Sequence, residues 1–182
     1  MKPIIKKIIK EEVNLDNNIK NILSDLKITN YKILGYGQSG VVINLLNSNK
    51  CLKITTSKHE FKIAEEIKNK QYSALPKIYK TGIIDDFFYY TRDCYEPIDD
   101  NLAETIDENI DEIADFFLEK KNWDARKSNT NLEYEFDDNF LIFLSQLKKD
   151  LFKLNLLPFE WDIDGLSLNT YKNKNSYILV DF

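Results

Sequence analysis

Between Leu34 and Thr56 the chain reads LGYGQSGVVINLLNSNKCLKITT, and this stretch narrows the possible folds more than any other. Gly35, Gly37, Gly40 and Val42 satisfy G-x-G-x-x-G-x-V. In a dinucleotide-binding fold the last glycine of such a run opens a helix, but here VVINLL continues as a β-branched run suited to a strand. NSNK supplies a second turn, so residues 31–56 are expected to form three antiparallel strands. A glycine turn between such strands brings backbone N–H groups close to phosphate oxygens because no Cβ intervenes. An ordinary glycine hairpin would use the same residues.

Lys53 lies inside the apolar run CLKIT, one strand after that turn. Strand alternation puts Cys51, Lys53 and Thr55 on one face and Leu52 and Ile54 on the other. A buried ammonium requires an anionic partner, either a carboxylate or a bound phosphate. Glu60, near the start of the next helix, is the first candidate, and Glu66 is the alternative about two turns further along.

The rest of the chain changes character part-way. LDNNIKNILSDL, residues 15–26, spaces Ile19, Ile22, Leu23 and Leu26 as an amphipathic helix. SKHEFKIAEEIKNK is a helix capped by Ser57, and strands are expected near Lys77–Ile84 and Phe87–Cys94, linked by a turn at Asp85 and Asp86. After a hinge-like segment the pattern becomes helical. NLAETIDENIDEIADFFLEK carries a stripe of Leu102, Ile106, Ile110, Ile113 and Phe117, and NFLIFLSQLKKDLFKLNLL is the most apolar helix. The polar stretch between them, residues 122–138, reads as loop. The divisions are an extension over 1–30, a sheet-rich lobe over 31–94, a hinge over 95–99 and a helical half over 100–182. The ligand cleft is expected between the halves.

At 182 residues, with 43% apolar and 30% charged side chains, the composition is that of a soluble globular protein. A net charge of −5 with scattered lysines gives no reason to propose a nucleic-acid partner, and nothing points to a membrane. The lysine-interrupted N-terminus lacks the apolar core of an export signal, so a cytoplasmic location is expected. Cys51 and Cys94, far apart in sequence, are expected to be buried reduced thiols, and His59 a surface or helix-end histidine.

Near the C-terminus Asp164 and Asn169 are spaced as D-x-x-x-x-N, and Asp181 closes the strand SYILVD. Carboxylate and carboxamide oxygens are the hard ligands that Mg2+ takes alongside water and phosphate, a role open to Asn169 and Asp181. Asp164 is then free to orient or deprotonate an attacking hydroxyl. Taken singly, each is more often a turn residue.

In chain order these features resemble the protein-kinase-like superfamily over residues 31–182, covering its small lobe and the first part of its large lobe. The resemblance implies an α+β, bilobal fold: a five-stranded antiparallel N-lobe sheet with one helix, and a truncated, mostly helical C-lobe. It implies ATP and Mg2+ as cofactors. Gly35, Gly37 and Gly40 would cover the phosphates, and Lys53, paired with Glu60, would hold the α and β phosphates. Val42 and Cys51 would roof the adenine, whose edge would meet the backbone of Asp93, Cys94 and Tyr95. Asp164 looks like the catalytic acid, and Asn169 and Asp181 look like the metal ligands.

The departures from that pattern are specific. Asp162-Ile163 replaces the usual His-Arg, and Leu166 stands where a lysine commonly steadies the phosphoryl group. The sequence ends at Phe182 without the next glycine or the activation segment, similar to the pared-down kinases of bacteriophages and other viruses, for which the location would be host cytoplasm. The expected activity is phosphoryl transfer to a protein serine or threonine hydroxyl, or to the chain itself. The alternatives are a nucleotide-binding pseudokinase that docks on a partner protein and a small-molecule phosphotransferase.

Overall fold

The computed structural model describes residues 17–37, 39–68, 70–120, 122–156, 166–174 and 176–180. Asp164, Asp181 and Phe182 lie outside the described residues, as does most of the N-terminal extension. The fold is α+β. Helix α1 runs over 17–25. Strands β1 (Tyr31–Tyr36), β2 (Gly40–Leu45) and β3 (Lys50–Thr55) follow, then α2 (Lys58–Lys68), β4 (Ile78–Ile84) and β5 (Phe87–Asp93). These strands make one antiparallel sheet in the order β1-β2-β3-β5-β4, so β3 is central.

Alternation along β2 and β3 sorts the sheet's two faces. Val41, Ile43, Leu52 and Ile54 point outward and are covered by Ile19, Ile22 and Leu23 of α1, the packing expected of that helix. The opposite face carries Val42, Cys51, Lys53 and Thr55 toward α2, whose Ile63, Ala64 and Ile67 join the larger core. Ser57 caps α2 as expected, its hydroxyl accepting from the Glu60 N–H at 3.2 Å.

The stretch 95–99 is not a bare connector. Its two-residue strand β6 (Glu96–Pro97) pairs with β7 (Thr170–Asn173), which in turn pairs with β8 (Ser176–Leu179). The helical half holds α3 (Asp100–Glu108), α4 (Ile110–Leu118), the short α5 (Leu132–Glu135), the long α6 (Asp138–Lys153) and α7 (Leu166–Asn169). The single helix expected over 101–120 is broken at Asn109, at φ −111° and ψ 21°. Asn109 bonds back to Thr105 through both its backbone and its carboxamide, a local competition with the helix ladder that hydrophobic spacing does not register. Residues 122–138 are also more ordered than a polar loop. A 3-10 turn over Ala125–Lys127 and α5 bury Ala125, Leu132 and Phe136.

α6 contributes a buried lysine that hydrophobic spacing alone does not single out. Lys148 is 2% exposed and its Nζ donates to the carbonyls of Phe116, Glu119 and Asn122, sealing the end of α4. Burial pushes its pKa down to about 8. The folded state thus holds this proton less tightly than the unfolded chain, so charge burial costs most below pH 8 and is relieved as pH rises toward the ordinary lysine value of 10.5. Lys148→Met is expected to destabilise the fold by about 2 kcal/mol at pH 7 by orphaning those carbonyls. The gap should widen between pH 8 and 10, where wild type gains and the variant does not; urea unfolding across that range measures it.

No helix among the described residues is long and apolar enough to cross a membrane.

Candidate functional site

The inner face of β3 gathers most of the described candidates. Lys53 is 5% exposed on a central strand, and of the two carboxylates considered it is Glu60 that faces it, with Nζ to Oε1 at 3.6 Å. Glu66 is exposed on the other side of α2. Glu60 is itself 3% exposed and accepts from the Tyr90 hydroxyl at 2.7 Å, the Thr55 hydroxyl at 2.8 Å and the Ser39 hydroxyl at 3.4 Å. These donors fix the carboxylate in place and with it the ammonium opposite. Thr55 shares the Lys53 face of β3 as alternation predicts, and Tyr90 joins it because β5 pairs it with Lys53, a register that alternation alone does not single out.

The glycine turn is fastened to this cluster through Ser39. Its carbonyl accepts from the Thr56 N–H and from the hydroxyls of Thr55 and Thr56. Gly40 is required by packing, since a Cβ there would sit 1.9 Å from the Ile54 carbonyl oxygen. Gly35 and Gly37 are different. A Cβ at Gly35 meets nothing within 4 Å, one at Gly37 meets only the Gly40 oxygen at 3.9 Å, and neither residue has positive φ. Among the described residues, neither backbone conformation nor packing demands glycine at these two positions. Their bare backbone leaves open room over the turn for a ligand.

Val42 lies opposite Lys53 in the β2–β3 register and is half-buried. Asp93 ends β5, with its carboxylate taken by the Tyr79 hydroxyl at 2.9 Å and by Lys50 at 3.7 Å. Tyr95 is half-buried, and burial, followed by the charge of Asp93, pushes its hydroxyl pKa up.

Cys51 and Cys94 depart from expectation. They are joined in a disulfide, with Cα atoms 5.1 Å apart across 43 residues of sequence. The pairing arises because β3 and β5 run side by side although α2 and β4 separate them in the chain, which hid the proximity. Arg92 faces Cys51 across the same ladder and is 3% exposed. Its Nη1 donates to the Asp93 carbonyl at 3.1 Å, while its buried Nε has no acceptor among the described residues.

On the helical side only Asn169 of the acidic group can be placed. It ends α7, half-buried, and its carbonyl accepts from the Val180 N–H at 2.9 Å. The chain position before Asp181 is thereby tied to Asn169. Leu166 is fully buried and contributes packing to the core. Among the described residues no group of three His, Cys, Asp or Glu is arranged to hold a metal. A cavity of about 690 Å3 lies elsewhere, lined by Ile67, Tyr72, Pro76 and Ile78 behind α2, with none of the residues above in its wall.

No family model matches the chain, and no curated protein matches it. Among solved structures it is similar to the crystal structure of a kinase domain, at 18% identity and a TM-score of 0.31, over 47% of this chain and 30% of that one. The match thus spans less than a third of that domain's length.

Proposed function

We propose that this chain is a compact kinase of bilobal form, using ATP and Mg2+ to transfer a γ-phosphoryl group to a protein serine or threonine hydroxyl or to itself. The observation that carries the reading is the buried Lys53–Glu60 pair on the strand after the glycine turn. An ammonium fixed in a dry site, one strand after the glycine turn, is suited to phosphate oxygens, where charge-assisted hydrogen bonds are strongest. In this reading Gly40 shapes the turn, and Val42 and Cys51 lie over the base. The backbone of Asp93, Cys94 and Tyr95 meets the base edge, and Asn169 and Asp181 hold the metal. Bound Mg2+ would supply neutralisation of the charge on the phosphates. Asp164 orients the acceptor hydroxyl and takes its proton. A protein substrate or docking partner, a cytoplasmic setting and kinship with the small kinases of phages and viruses belong to the same proposal.

The burial of Leu166 favours a second reading, a nucleotide-binding protein that docks without turnover. Incubation with Mg-ATP, following ATP consumption and intact mass beside Asp164→Asn, separates the two. Added phosphate or turnover that disappears in Asp164→Asn is the expected result. Thermal stabilisation by Mg-ATP without chemistry selects the docking protein. Absence of both binding and chemistry removes the kinase reading.

A further inference from the structure

We propose that the Cys51–Cys94 disulfide is a redox gate on the base end of this cleft. Bonded, it holds the connector after β5 against β3 and keeps the nucleotide base out; as a dithiol it lets the base in. The inference rests on the nucleotide reading above.

Placement is the first argument. Cys51 is 1% exposed, two residues from Lys53 on the same face of β3, and Cys94 immediately follows β5. A flat ring lying under residue 51 with its edge against the backbone of 93–95 must occupy the space that the two sulfur atoms now bridge.

The second argument is how the connector is held. On its far side Glu96 and Pro97 are laddered to Lys172 and Tyr171 of β7. On the β3 side Cys94 donates its backbone N–H to the Asn49 carbonyl, long at 3.3 Å, and the disulfide supplies the covalent hold. Cutting the S–S bond therefore leaves Cys94 held on the β3 side by that one long hydrogen bond and by the neighbouring Lys50–Asp93 pair, a looser hold, while the connector stays laddered to β7.

Arg92 supplies the third. It stands opposite Cys51 on the same face, buried, with its Nε lacking an acceptor among the described residues. A buried N–H without an acceptor is costly, and the closed form carries that cost. A purine entering beside residue 51 brings ring nitrogen acceptors to this place, so the open, occupied form removes it.

The chemistry balances with ordinary thiols. Two thiol molecules of the glutathione class deliver two electrons and two protons through a mixed disulfide, leaving Cys51 and Cys94 as thiols and the reductant as its own disulfide. A peroxide reverses the change, taking two electrons and two protons from the pair and leaving as water and an alcohol, or as two waters from hydrogen peroxide. A reducing compartment would hold the cleft open and oxidative stress would close it.

The test uses the full chain in both states, distinguished by intact mass after thiol alkylation, with Mg-ATP as the probe in calorimetric titration. The dithiol form should bind about tenfold tighter or better, as expected where the competent state is a minor fraction of the bonded form. In Cys94→Ser, whatever its own affinity, binding should no longer change when a reductant is added or removed, and Cys51→Ala provides the same check should that variant fold poorly. Hydrogen exchange at the Cys94 amide should quicken on reduction. Equal or tighter binding by the bonded form overturns the gate, as does failure of the two thiols to join under peroxide. No binding by either form or by the variants, with the fold intact, overturns the nucleotide reading itself, an outcome distinct from binding that ignores redox state.

Discussion

Lys53→Met is expected to lower Mg-ATP-dependent phosphorylation by roughly a hundredfold to a thousandfold, the range seen when one preorganised charge donor is removed from a developing anion. Methionine keeps the length and apolar stem of the side chain, so the inner face of β3 stays filled. Glu60 does not become an orphan, because the hydroxyls of Tyr90, Thr55 and Ser39 still donate to it. These hydroxyls keep Glu60 hydrogen-bonded but do not neutralise it, so a stability loss of up to about 3–5 kcal/mol is expected, the range for removing one partner of a buried pair. Steady-state kinetics beside urea unfolding read both quantities. A variant that folds normally and keeps activity within about tenfold of wild type would place phosphate holding somewhere other than Lys53.

Glu60→Gln makes a useful companion. The carboxamide retains an acceptor oxygen for one side only, the Tyr90 hydroxyl at Oε1 or the Thr55 hydroxyl at Oε2, places an NH2 at the other, and removes the charge opposite Lys53. Its loss of activity should be smaller than that of Lys53→Met, since the ammonium remains and only its orientation is loosened. The order of the two variants separates a lysine that touches phosphate from one that merely fills the core.

The parts of the fold legible in the sequence are those set by residues near one another in the chain. Alternation in CLKIT put Lys53 on the inner face, and Ser57 marked the start of α2, which together brought Glu60 within reach of Lys53. The amphipathic spacing of Ile19, Ile22 and Leu23 foretold a helix seeking cover, although not which sheet face it would cover. What escaped was set by pairing across distance. Tyr90, Arg92 and the disulfide all enter the site through the β3–β5 register, which forms only after α2 and β4 have been laid aside. The break at Asn109 escaped for the opposite reason. It is so local, one side chain competing with one turn of helix, that a continuous hydrophobic stripe runs straight through it.

Asp150 shows what such distant pairing contributes to stability. It is fully buried on α6, and its Oδ2 accepts from the backbone N–H groups of Ser73, at 2.8 Å, and Ala74, at 3.0 Å. Oδ1 accepts from Gln146 and from Lys153. The Ala74 carbonyl in turn accepts from the Leu179 N–H of β8 at 2.9 Å. One carboxylate thus latches the loop after α2, and with it the helix carrying Glu60, to both α6 and β8. Asp150→Ala strips the acceptor from two backbone donors and leaves a space where charge-assisted bonds had been. We expect a loss of about 3–5 kcal/mol, the range for breaking a buried charged contact on one side. For a chain of this size that is a fall in Tm of roughly 6–20 °C. Lys153→Met, which removes only the half-exposed partner at the surface, should cost less than about 1 kcal/mol. The contrast is decisive because both variants lose the same ion pair. A large drop confined to Asp150→Ala assigns the stabilisation to the backbone latch, whereas equal losses would assign it to the pair and leave the loop after α2 held by apolar packing alone.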